Sequence, residues 1–219
     1  SEGSAGRMGQ RLMAIVAEGK KGRVYLSPTD EQLAITLQAR PEWSPEMSLP
    51  NNPRDFKTPN YGLDKFGDLF TPRQLVALTT FSDLVAEAIA RCREDARTAG
   101  MVDDGIGLDA GGTGATAYAQ AVGVYLGLAS DRMSDSHSTI TSWTAQRDTL
   151  RNTFARQAIP MVWDYAEANP FSDSTGNFGG ALDWVEKAID ALPARPNGIV
   201  VQADAQTQTI SANKVISTD

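Results

Sequence analysis

Apolar residues recur every three or four positions along two long stretches of this chain and gather in short β-favouring runs near both ends, a pattern that predicts helices with small β elements attached. Leu12 to Glu18 is apolar, Lys20-Lys21-Gly22 is a turn signal, and Arg23 to Leu26 favours strand, so a hairpin is expected. Thr29 and Gln32 have the spacing of a capping box, and Leu33, Ile35 and Leu37 follow in a short helix ended by Pro41. Thr71 caps and Pro72 opens a long helix with Leu75, Leu78, Phe81, Val85, Ala88 and Cys92 on one stripe, which makes Cys92 a core residue. Glu87 and Arg91 are spaced to pair on its outer side. A second helix carries Tyr118, Val122, Tyr125, Leu126, Ala129 and Met133 on one face and is expected to lie antiparallel to the first.

Trp143 to Ala168 reads as a third helical unit broken or restarted at Pro160, and a last helix places Leu182, Val185, Ile189 and Leu192 on one side before Pro193 stops it. Ile199-Val200-Val201 and Lys214 to Thr218 are two strands, each finishing on a carboxylate, Asp204 and Asp219. The expected class is mainly α (α+β), in four sections. Residues 1–40 hold the β-hairpin and short helix, and 41–71 a long proline- and aromatic-rich loop whose aromatic content argues for order. Residues 72–193 form a helical bundle and 194–219 a strand pair.

Composition narrows the chemistry. With 41% hydrophobic residues and four Trp among 219, a folded core is affordable. One Cys and one His exclude a disulfide framework and leave no metal ligand set in this segment. No stretch nears the length needed to span a membrane and no signal-peptide pattern opens the chain, so a cytoplasmic location is expected. The formal charge of −7 opposes non-specific attraction to a polyanion, so contact with DNA must be local. Arg147, Arg151 and Arg156 on one helical face, and Arg54 and Lys57 with Tyr61 and Lys65 in the aromatic loop, are the candidates for such a patch; ion pairing with the many acids is the competing reading.

Several other features have ordinary readings. Gly111-Gly112-Thr113-Gly114 imitates a nucleotide-binding loop but follows a polar run where a strand is required, so a glycine-rich helix start is expected. Asn169-Pro170-Phe171 reads as a turn, and His137, among serines and Asp135, as a solvated loop residue. Residues 205–213 are few for a crossover between parallel strands, so spacing alone favours an antiparallel hairpin with Asp204 and Asp219 in solvent.

Ile199 to Ala205 followed by Lys214 to Asp219 nevertheless resembles the approach to the Asp-Pro-Pro-Tyr motif of adenine-N6 methyltransferases. Upstream, Asn52 to Gly62, Phe66 to Gln74, Arg151 to Phe154 and Pro160 to Tyr165 are similar to the large adenine-specific DNA methylases that contain a zinc ribbon. That resemblance implies a helical insert in a Rossmann-like, S-adenosylmethionine-dependent enzyme, with the chain stopping at the motif's first aspartate. It implies Asp219 as an acceptor for the adenine amino group, whose lone pair is delocalised into the ring, and Asp204 beside the adenine moiety of S-adenosylmethionine. A segment lacking the donor's glycine motif and the rest of the catalytic turn is expected to be inactive and not to bind the cofactor by itself. The insert then serves DNA binding or docking of a protein partner. Two alternatives are a helical protein-interaction module of a defence or restriction assembly, and part of an RNA methyltransferase.

Overall fold

In the computed structural model, residues 2–155 and 157–192 are described. The first apolar run pairs with the second across the Lys20-Lys21 turn, giving β1 (Ile15–Gly19) and β2 (Gly22–Leu26) in antiparallel register, Glu18 opposite Arg23 and Val16 opposite Tyr25. Thr29 accepts from the Gln32 amide while the Gln32 side chain accepts from the Thr29 amide, so the expected capping box starts α1 (Asp30–Thr36). The long loop that follows contains two 3₁₀ turns, Thr58–Tyr61 and Phe66–Leu69, and contributes Leu49 and Leu69 to a core shared with Ile140 and Ile159.

Thr71 ends that loop and opens α2 (Pro72–Thr98) by the same reciprocal bonding, here with Gln74, and Pro72 occupies the first helical position where its missing amide costs nothing. α3 (Ala115–Ser134) runs back against it. Ile89 of α2 touches Gly123 of α3, and Leu78 and Phe81 pack near Ala129 and Met133, the antiparallel arrangement expected for two helices with these apolar stripes. The buried face of α3 keeps Ala129 and Met133 of the predicted stripe and otherwise differs from it: Ala115, Ala117, Ala119 and Gly123 are buried, whereas Tyr118 and Tyr125 are exposed. Small side chains win the interface because they let the two backbones approach closely. Cys92 is half-buried on the α2 stripe, and Arg91 pairs with Asp95, one turn onward, instead of Glu87.

The joint between α2 and α3 is tied down by one carboxylate. Asp103, its side chain 8% exposed, accepts from the amides of Gly105 and Thr116, from the Thr116 hydroxyl and from Arg97. Burial alone would raise its pKa, but those donors outweigh burial and hold it well below the usual carboxylate range. Gly114 has no side chain with which to cap α3, and Asp103 supplies the acceptor from a distance in its place.

The third helical unit expected over Trp143 to Ala168 is not formed. The chain there makes a second hairpin, β3 (Ser142–Thr144) with β4 (Thr149–Arg151), then an irregular segment as far as Asn177. Thr141, Thr144 and Thr149 are stiff β-branched residues that favour extended backbone, and Asp148, at φ +47°, makes the tight turn between the strands. Finally Asn177 caps α4 (Phe178–Ala191), which lays Phe178, Ala181 and Val185 against α2 and α3 and leaves Leu182, Ile189 and Leu192 exposed. Four helices and two small antiparallel sheets among the described residues make an α+β protein. The expected C-terminal strand pair lies outside the described residues.

Candidate nucleic-acid interface

The irregular segment 157–177 is held in place by two polar constructions. The first joins it to the start of α2. Glu167 receives two bonds from the Arg73 guanidinium, at 2.7 and 2.8 Å, and a third from the Thr71 hydroxyl at 2.6 Å, while Arg73 also donates to the Thr36 carbonyl at the end of α1. A bidentate fork of this kind fixes direction as well as distance. The contact with Glu167 raises the Arg73 pKa further, so this cation is committed to structure.

The second construction is a buried polar layer. His137 is 1% exposed, and its Nε2 lies 2.7 Å from the Gly176 carbonyl, which can only accept, so Nε2 carries the proton. The solvated loop histidine expected from the neighbouring serines is therefore corrected to a core residue. Ser136, Ser138, Thr139, Thr141 and Thr153 are buried too, and polar partners meet the hydroxyls of the last four: Ser138 and Thr153 hydroxyls are 2.7 Å apart, Thr141 and Thr153 3.2 Å, and Thr139 donates to the Leu69 carbonyl at 3.0 Å. Polar composition misled because it signals exposure only when no partners are folded against it.

Burial lowers the His137 pKa more than the Gly176 carbonyl and the Glu167 charge raise it. The folded value thus lies below the unfolded one near 6.5. Its contribution to stability is complete above the unfolded value and is lost as pH falls through the folded one. Thermal melts between pH 7.5 and 5 should show a decline of melting temperature in that window that is shallower in His137→Gln. Equal declines in both proteins would remove His137 from the account.

On this frame sits the aromatic loop. Backbone bonds from Lys57 to the Ile159 carbonyl (3.0 Å) and from Ile159 to the Asp55 carbonyl (2.9 Å) dock residues 52–62 onto the 159–163 segment. Tyr61 then meets Trp163 edge to face, with ring centres 5.0 Å apart. Trp163 remains 64% exposed, and Tyr61 is half-buried. Lys57 precedes the turn that carries Tyr61 and donates to the Pro53 carbonyl; Arg54 is exposed in the turn before it. Neither Arg54 nor Lys57 forms an ion pair among the described residues, whereas Lys65, named with them from sequence, is paired with Glu46.

Compared with models of known protein families, with curated proteins and with solved structures, the chain matches none.

The remaining sequence candidates are distributed differently. Arg147 and Arg151 do not share a helical face: Arg147 lies in the β3–β4 turn and Arg151 on β4 opposite Ser142, both exposed and without an ion pair among the described residues. Arg156, Asp204 and Asp219 lie outside the described residues. Sequence does not single out Trp163, because Pro160-Met161-Val162-Trp163 falls in the stretch expected to be helical, where an isolated Trp is ordinary core.

The glycine loop is not open to the phosphates of a nucleotide. The amides of Gly111, Gly112 and Thr113 are bonded to Leu108, Gly107 and Asp104 respectively, and a Cβ on Gly112 would stand 2.1 Å from the Ile106 carbonyl oxygen. Its amides close the loop on itself. Among the described residues no group of His, Cys, Asp and Glu could hold a metal ion, and no helix is long and apolar enough to cross a membrane.

Proposed function

We propose that this chain is a section of an S-adenosylmethionine-dependent DNA adenine-N6 methyltransferase and that its described part contacts the DNA. The observation that carries the DNA contact is the exposed Trp163 braced by Tyr61 beside the unpaired cations Arg54 and Lys57. An exposed indole braced by a second ring offers a base a stacking surface, and Arg54 and Lys57, the latter bonded to the Pro53 carbonyl but neither in an ion pair among the described residues, keep their charge available to phosphates. Such a surface lets an acidic chain bind a polyanion locally, which its net charge of −7 otherwise opposes.

The enzyme class rests on the resemblance around Asp204 and Asp219. In this reading 199–204 and 214–219 are strands of a Rossmann-like sheet, and ligands of such sheets bind beyond the carboxyl ends of the strands. Asp219 accepts hydrogen bonds from the adenine amino group and helps localise its lone pair. Asp204 stands beside the donor's adenine. The donor supplies the methyl group, and residues outside 2–192 hold it.

The test is transfer of labelled methyl from S-adenosylmethionine by the full-length parent protein to duplex DNA, RNA and protein acceptors. Label in N6-methyladenine of DNA is the expected result. Label in RNA but not DNA would overturn the substrate, and binding of a protein partner with no transfer to any acceptor would favour an interaction module instead.

A further inference from the structure

Two β-hairpins that are far apart in sequence meet through a small aromatic joint. The Tyr25 hydroxyl on β2 donates to Asp148 in the β3–β4 turn at 2.8 Å and accepts from the Trp143 indole on β3 at 3.2 Å. The Tyr25 and Trp143 rings meet edge to face, and the Arg23 guanidinium lies over the Trp143 ring, 5.3 Å from its centre. This joint brings together two hairpins that each carry cations. Lys20 and Lys21 are exposed at the β1–β2 turn, with Arg23 next along β2, and Arg147 and Arg151 flank Asp148 on the other hairpin.

The two hairpins together carry five cations and two carboxylates, Glu18 and Asp148, within a chain whose formal charge is −7. Asp148 is engaged by Tyr25, and Arg23 lies over the indole with no ion pair to its cross-strand neighbour Glu18. None of the five forms an ion pair among the described residues. A guanidinium lying on a ring keeps its N–H edge free for an anion.

We propose that the paired hairpins form a phosphate-binding surface for the nucleic-acid backbone, with Lys20, Lys21, Arg23, Arg147 and Arg151 as its cations and Tyr25 as the residue that positions one hairpin against the other. This rests on the DNA-binding reading and extends it to residues away from Trp163. The surface reads charge and not sequence, because phosphate contacts fix register without distinguishing bases.

The experiment is a salt titration of the 219-residue chain with a labelled duplex, comparing Lys20→Gln/Lys21→Gln and Arg147→Gln/Arg151→Gln with Arg91→Gln/Arg93→Gln, a pair of equal charge change on α2. Each hairpin pair should flatten the slope of log affinity against log salt by about 2, and the α2 pair should leave it unchanged. Tyr25→Phe should weaken binding with every cation retained. If the hairpin variants bind like wild type while Arg54→Gln/Lys57→Gln loses affinity, the hairpin surface is wrong and the DNA reading stands. If the α2 pair loses as much as the hairpin pairs, the effect is net charge and the hairpin surface is again wrong. Absence of any wild-type affinity at low ionic strength removes both.

Discussion

Gly176→Ala is expected to destabilise the protein by about 3 kcal/mol, combining the cost of a side chain at positive φ with that of overpacking. For a chain of this size that corresponds to a fall in melting temperature of roughly 6–12 °C. Gly176 has φ +91°, and a Cβ there would stand 2.7 Å from the Ala168 Cβ and 3.0 Å from the Ser136 Cβ. Neither neighbour is the free end of a long side chain, so the backbone of one of three segments must shift. The Gly176 carbonyl is also the partner of His137, so that shift stretches the bond that satisfies the buried ring. Thermal unfolding followed by circular dichroism measures the effect. A change under about 1 °C would mean that the 168–176 segment is not packed against the polar layer as described.

Trp163→Ala should lower affinity for single-stranded DNA about 5- to 150-fold, since stacking of one base on an aromatic side chain is worth about 1–3 kcal/mol. Trp163→Phe should retain most of the affinity because a base still finds a ring. The substitution lies on the surface, and stability should change by no more than about 0.5 kcal/mol apart from loss of the edge contact with Tyr61. Fluorescence anisotropy with a labelled oligonucleotide reads the difference. Equal affinity in all three proteins would show that the exposed indole takes no part in binding.

Local rules carried much of the fold. Both capping boxes, at Thr29 and Thr71, are legible because the interacting groups are three residues apart, and the Lys20-Lys21-Gly22 turn sets its hairpin in the same way. The α2 stripe is legible for the same reason. What sequence patterns missed depends on partners far along the chain. The stretch from Trp143 folds as a hairpin whose joint to the rest is Tyr25, and Ser136 to Thr141 are buried because Thr153, Leu69 and Gly176 meet their polar atoms. Sequence places Ala129 and Met133 on the buried face of α3 but misses its first half, because alanine and glycine carry little hydrophobic weight, yet the smallness of Gly123 is what admits Ile89.

The candidate surface was partly legible. Arg54, Lys57 and Tyr61 are adjacent in sequence and remain together, whereas Trp163 joins them only through the backbone bonds between 55–57 and 159. Arg147 and Arg151 have helical spacing in the sequence, yet they stand on a hairpin, Arg147 in its turn and Arg151 at the far end of β4, because the chain turns at Asp148.

The most direct measurement is the affinity of the wild-type chain for duplex DNA across a salt series. A local cationic and aromatic surface predicts measurable binding at about 50 mM salt, a log–log slope of roughly −2 to −6 from a few phosphate contacts, and loss of affinity in Arg54→Glu/Lys57→Glu. No binding at low ionic strength, or binding that these charge reversals leave intact, would contradict it.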